Sequence, residues 1–158
     1  MSRTDLRTSI IAYLSNHNVA TLATHGPEGP WASAVFFVSQ ELRLYFLSAP
    51  TTRHCRNLDS DPRAAATVQE DYAEWKKIKG VQMEGRISRL EGLESAFAAS
   101  LYARKFAFAD PGRAGGAIAA AMAKIAWYKL EPDTVYFIDN SLGLGHRDRL
   151  DLKDDKQR

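Results

Sequence analysis

Trp31-Ala32-Ser33-Ala34-Val35-Phe36-Phe37-Val38-Ser39-Gln40-Glu41-Leu42-Arg43-Leu44-Tyr45-Phe46-Leu47 is the stretch that decides the fold. It holds two runs, 31–39 and 41–47, rich in aromatic and β-branched residues, with Ser39-Gln40 as the tight link of a hairpin. Both runs are apolar on both faces. A strand buried on two sides belongs to a barrel, or to a sheet covered by helices or by another subunit.

Working outward, residues 5–16 carry Leu6, Ile10, Tyr13 and Leu14 at helical spacing, with Thr4 as the expected cap and Asp5 in the first turn. The period then becomes strand-like over 19–24, and His25-Gly26-Pro27-Glu28-Gly29-Pro30 reads as a turn. On the C-terminal side, 52–58 is a short helix stopped by Asp59-Ser60-Asp61-Pro62, and 63–68 is a strand. Residues 80–90 are the cleanest strand: Val81, Met83, Gly85 and Ile87 alternate with Gln82, Glu84, Arg86 and Ser88. The charged 70–79 segment fits either a loop or a ragged edge. Residues 91–106 form a helix whose buried stripe is expected to be Leu93, Phe97 and Leu101; 114–126 form a second, with Ile118, Met122 and Ile125 inward. Short strands at 128–130 and 134–139 flank a turn at Glu131-Pro132-Asp133. Six or seven mainly antiparallel strands with three or four helices make an α+β fold, a small β-barrel flanked by helices.

The 158 residues suffice for one domain, expected over 1–145, followed by a charged, frayed tail over 146–158. Hydrophobic residues at 45% and charged residues at 25% are an ordinary globular balance. No apolar run reaches membrane-spanning length, and Arg3 and Asp5 stand where a signal peptide would begin, so no membrane partner and a cytoplasmic location are expected. A single cysteine excludes an internal disulfide. The 21 basic and 19 acidic residues leave a net charge of +2 with only short basic clusters, against a nucleic-acid partner.

The chemistry concentrates in Ser48-Ala49-Pro50-Thr51-Thr52-Arg53-His54-Cys55-Arg56-Asn57. A strand ends, Pro50 turns the chain, and a helix begins. Its first turn presents unpaired N–H groups and partial positive charge. Arg53 there opposes the macrodipole, a conflict that a bound phosphate would remove. An ordinary threonine cap beside a solvated arginine explains the segment equally well. Cys55 reads as a small core residue, with His54 on another helix face. His17, His25, His54 and His146 share no metal-ligand spacing. Gly143-Leu144-Gly145 lacks the third glycine of a dinucleotide fingerprint.

Residues 30–37, then Leu44-Tyr45-Phe46-Leu47-Ser48, Thr52-Arg53-His54-Cys55-Arg56-Asn57-Leu58, Asp61-Pro62-Arg63-Ala64-Ala65, Met83-Glu84-Gly85-Arg86-Ile87 and residues 128–137 run in one order. In that order the chain resembles the FMN-binding split-barrel flavoproteins, the pyridoxamine 5′-phosphate oxidase-like group, and within it a poorly characterised bacterial subgroup. The resemblance implies a split β-barrel homodimer with FMN at the subunit interface and a small-molecule substrate or electron donor. It implies that phosphate lies at Thr51, Thr52, Arg53 and His54, where histidine replaces the usual lysine. It also implies a flavin ring along Ser33, Ala34, Val35 and Phe36, with Ser48 near the ribityl chain and Gln82 as a further contact. Haem or a deazaflavin is the alternative cofactor, and a non-enzymatic flavin carrier or sensor the alternative role. The vitamin B6 oxidases carry arginine where Ser33 stands and an Arg-x-His motif where Gly143-Leu144-Gly145-His146 stands. These departures argue against pyridoxamine phosphate as the substrate. The flavin would carry the electrons, so no side chain is nominated as catalytic.

Overall fold

The computed structural model describes residues 1–110, 112–113 and 115–153. Helix α1 (Arg3–Ser15) is followed by β1 (Val19–Gly26), β2 (Gly29–Gln40), β3 (Arg43–Ser48), α2 (Arg53–Ser60), β4 (Arg63–Gln69) and β5 (Lys79–Leu90). Then come α3 (Gly92–Lys105), α4 (Gly116–Met122), β6 (Ala126–Asp139) and β7 (Arg147–Asp151). The strands run β3-β2-β1-β4-β5-β6-β7, all antiparallel. Pairing of β3 with β6, from Leu44 opposite Leu130 to Ser48 opposite Ala126, closes the first six into a barrel. The α+β split-barrel expectation holds, with β7 as one extra strand on the outer edge of β6.

Closure leaves the doubly apolar strands with two different burials. Phe37, Leu44 and Phe46 fill the barrel interior with Leu22, Val81 and Val135, while α1 plugs it with Leu6, Ile10 and Leu14. Val38 and Tyr45 face outward into a second core beneath α3, with Ala98, Tyr102, Phe106 and Trp127.

Several local expectations change. Ser2, not Thr4, caps α1: its Oγ accepts from the Asp5 N–H at 3.1 Å and donates to the Asp5 carboxylate, a reciprocal arrangement two residues earlier. The β2–β3 turn falls at Glu41-Leu42, because Ser39 and Gln40 still pair with Leu44 and Arg43; Glu41 takes the left-handed φ of 56°. The 25–30 turn shrinks to Pro27-Glu28 between β1 and β2, and 70–78 is a loop with a 3-10 turn at Trp75–Lys77, with Lys79 already in β5. The Glu131-Pro132-Asp133 turn is instead a bulge inside the single strand β6, opposite Gly85. On α3 the buried residues are Ala98 and Tyr102, whereas Leu93 is 90% exposed and Phe97 half-exposed. The reason is that aromatic residues of β3 and β6 offer a partner one helical step away. Helix α4 buries no residue; Ala114, where that helix was expected to start, lies outside the described residues. The charged segment after His146 is a strand over Arg147–Asp151, because β6 has a free edge and Leu150 supplies a buried anchor. Residues 154–158 of the expected tail lie outside the described residues. No described helix is long and apolar enough to cross a membrane.

Candidate functional site

Strand β3 ends at Ser48, and a turn closed by the Thr52 N–H on Ala49 O delivers the chain into α2. The helix sits across the end of β1. Asn57 Nδ2 donates to Thr24 Oγ1 at 3.2 Å, and Gly26 leaves the room: a Cβ there would stand 2.2 Å from Asn57 Oδ1. His54, Cys55, Asn57 and Leu58 are buried against the barrel, so His54 and Cys55 share the inner side of α2 rather than different faces. Their neighbours bring them together, since the imidazole folds back toward the end of β3.

The start of α2 has no side-chain cap. The Thr52 hydroxyl donates instead to Ala49 O at 2.9 Å, which leaves the first-turn N–H groups without a side-chain acceptor. Arg53 crosses to the β1–β2 turn. Its Nη2 donates to Glu28 O at 2.9 Å, the Glu28 carboxylate lies 3.6 Å from Nε, and the guanidinium rests 4.5 Å from the centre of the Trp31 ring. Arg53 Nε is nonetheless buried without a hydrogen bond. Arg56, exposed, folds back to donate to Thr51 O.

His54 Nε2 lies 2.8 Å from Ser48 Oγ and 3.2 Å from Thr52 Oγ1. His54 is 8% exposed, and its ring lies against these two hydroxyls at the end of β3. Burial pushes the Cys55 thiol up, but hydrogen bonding with His54, Thr52, Tyr128 and Ser48 outweighs it and brings the thiol down to about 7. Burial, with Cys55 beside it, raises the Tyr128 hydroxyl well above its ordinary range.

On β2, Ser33 and Val35 point inward opposite Leu22 and Ala20, while Ala34 and Phe36 point outward beside Thr21 and Val19. Ser33 Oγ is a second buried atom with no hydrogen-bond partner. The backbone matters more than these side chains. Strand β1 covers one edge of β2 along its length, but β3 pairs with β2 only from Phe37 to Gln40. The other edge of Ser33–Phe36 therefore carries no strand among the described residues. That open edge lies just beyond Ser48, where the chain has left the sheet for α2. Ser48, Thr51, Thr52, Arg53, His54 and the Ser33–Phe36 edge thus share one end of the barrel. Gln82 does not join them: it lies on the outer face of β5, in the row Ala34, Thr21, Thr67, Gln82, Tyr136. That is three strands away from β2, about 14 Å at sheet spacing.

Sequence reasoning missed Glu28, Trp31 and Arg56. Only Arg56 carried a legible signal, a second arginine in the same first turn. It also missed a shallow groove on the outer face. One part, of about 310 Å³, is lined by Thr21, Ala65, Thr67, Gln82 and Tyr136. The other, of about 550 Å³, is lined by His25, Asp61, Arg63, Glu84 and Asp133, and the two parts share Ala23.

A sequence profile described as pyridoxamine 5′-phosphate oxidase matches residues 6–139. The chain belongs to the pyridoxamine 5′-phosphate oxidase-like family. Among this family's members it is 30% identical to the UPF0306 protein YhbP of Salmonella paratyphi A, over 90% of this chain and 91% of that protein. It superposes on a haem-binding protein from Mycobacterium smegmatis with a TM-score of 0.73 and 26% identity, covering 97% of this chain. The chain spans about three fifths of that protein's length, 59%. It also superposes on an FAD-binding protein from Mesorhizobium loti, with a TM-score of 0.62, 20% identity, and coverage of 81% of this chain and 90% of that one. The same fold thus occurs in a protein described as haem-binding and in one described as FAD-binding.

Proposed function

We propose that this protein binds a flavin nucleotide and serves as a flavin-dependent oxidoreductase for a small molecule. The phosphate would sit at the start of α2 and the ring along the open edge of β2. The observation that carries the reading is the juxtaposition of that unpaired edge, Ser33–Phe36, with an uncapped helix start and the Arg53 guanidinium, whose Nε makes no hydrogen bond. Strand-edge N–H and C=O groups match the polar rim of a flavin ring, and helix N–H groups with Arg53 match a phosphate. Arg53 and the hydroxyls of Thr51 and Ser48 would hold the nucleotide. His54 would brace Ser48 and Thr52 from inside. A bound flavin would supply reversible two-electron transfer, while the chain's own task is to orient the ring and exclude water. We further propose a homodimer formed through the outer face of β1, β2 and β4, whose exposed residues Ala23, Ala32, Ala34 and Ala65 make a smooth surface.

A visible spectrum of the freshly purified protein tests the cofactor class. Paired flavin bands support the reading, and a Soret band alone would replace it with haem. Arg53→Ala tests the placement. Losing a charge-assisted contact costs about 1.5–3 kcal/mol, or roughly a 10- to 150-fold loss of FMN affinity. Riboflavin, without phosphate, is expected to bind wild type and variant alike. Equal losses for both ligands by fluorescence titration would refute the phosphate assignment.

A further inference from the structure

Exposed apolar side chains standing singly are ordinary, whereas contiguous ones beside an open edge mark a binding surface. Three phenylalanines meet where the chain leaves α3 over β2. Phe36, on the outer face of β2, packs edge-on against Phe106 and Phe108 with ring centroids 5.5 and 6.2 Å away, and those two rings lie 5.7 Å apart. Phe106 is buried, whereas Phe36 and Phe108 are half-exposed. Phe36 also belongs to the stretch of β2 whose edge away from β1 carries no strand among the described residues. The charges that follow α3 are committed elsewhere. Lys105 Nζ donates to His17 O and Phe37 O. Arg104 donates to Ser100 O and Oγ, one turn back on α3. Arg113 pairs with the Asp110 carboxylate, which also accepts from the Gly112 N–H.

We propose that the small molecule taken by this site is an uncharged aromatic compound, held by Phe36 and Phe108 with Phe106 behind them. The proposal rests on the flavin reading above, because the three rings adjoin the edge of β2 that supports the flavin in that reading. Rings packed edge-on leave faces and edges that accept another aromatic ring in offset or edge-on contact. A neutral ring gains by leaving water there. A phosphate or carboxylate would find every described cation between Arg104 and Arg113 already engaged, and an ammonium would find Asp110 engaged. Either would lose its hydration without gaining a partner.

The test titrates naphthol and naphthoate, one ring system in neutral and anionic form near neutral pH, into the full-length protein with FMN present, followed by calorimetry. Naphthol is expected to bind about tenfold more tightly than naphthoate. Phe108→Arg, which brings a cation to the three rings, is expected to reverse that order. Phe97→Ser, at a half-exposed ring earlier on α3 that packs on Tyr45, is expected to leave it unchanged. Circular dichroism verifies the fold of both variants. Naphthoate binding as tightly as naphthol, or equal losses of naphthol in Phe108→Arg and Phe97→Ser, would overturn the proposal. So would the absence of naphthol binding; a monomeric Phe108→Arg beside a dimeric wild type in sedimentation would then make a second copy the occupant. In all these cases bound FMN, seen by its visible bands, leaves the flavin reading standing. A protein that takes up no FMN would overturn both.

Discussion

Gly85 faces the bulge that carries Pro132 through the middle of β6. A Cβ at that position would stand 2.1 Å from Glu131 O and 2.7 Å from Pro132 Cα, both backbone atoms that cannot swing away. Gly85→Ala is therefore expected to destabilise the barrel by about 1–3 kcal/mol, read as a lower denaturation midpoint in urea. An unchanged midpoint would mean that the bulge adapts freely. Cys55 gives a pH signature. Burial raises its thiol, but hydrogen bonding with His54, Thr52, Tyr128 and Ser48 leaves it at about 7 in the folded chain, below the ordinary thiol value. The unfolded state then holds the proton over a range where the folded state has released it. The resulting stability is fully present above the ordinary thiol value and is lost as pH falls through about 7. Wild type is thus expected to gain melting temperature between pH 7 and about 9, relative to Cys55→Ala measured in parallel. Parallel curves for the two proteins would contradict this assignment.

Helix α3 illustrates how an element chooses its buried side. Its sequence periodicity points to Leu93, Phe97 and Leu101, whereas the structure buries Ala98 and Tyr102. The helix lies over Tyr45 and Trp127, and Tyr102 meets Trp127, Phe106 and Phe108 with ring centroids 5.3, 4.6 and 6.2 Å away. Ala98 lets the helix approach closely, and Lys105 anchors its end by donating to His17 O and Phe37 O. Tyr102→Ala should cost about 3–5 kcal/mol, as for other large aromatic truncations in a core. Leu93→Lys, at a site 90% exposed, should stay within about 0.5 kcal/mol. Chemical denaturation of the two variants decides which stripe is the core. A costly Leu93→Lys with a harmless Tyr102→Ala would reverse the assignment.

At the scale of the molecule, the barrel has an outer face built of small residues. Ala34, Thr21 and Thr67 form one cross-strand row, and Ala32, Ala23 and Ala65 the next. Val19 and Phe36 stand beside them, 43% and 50% exposed, as large apolar side chains rather than a polar rim. Small side chains let two sheets approach closely, and the groove over Ala23 and Ala65 leaves space for side chains of a second copy. The protein should therefore sediment as a dimer at micromolar concentration. Ala65→Arg, placing a charge at the centre of that face, should sediment as a monomer with an unchanged circular dichroism spectrum. A wild-type monomer would remove the proposed interface, and a dimeric Ala65→Arg would move it elsewhere.

The sequence by itself determined the periodic elements, because period and burial are local properties. Two doubly apolar runs at 31–47 required cover on both sides, and the alternation after Gly80 set the inner and outer faces of β5. Strand, proline and helix at 48–58 located the candidate site without any partner in view. Only the tertiary structure decided contacts between segments far apart in the chain. The direction of the His54 ring depends on Ser48 at the end of another element, and the buried side of α3 depends on Tyr45 and Trp127. The bulge that keeps β6 whole requires Gly85 on the facing strand, and β7 pairs because β6 has a free edge. The open edge of β2 exists because β3 leaves the sheet at Ser48, so its missing neighbour is a property of the closed barrel and of no single stretch of sequence.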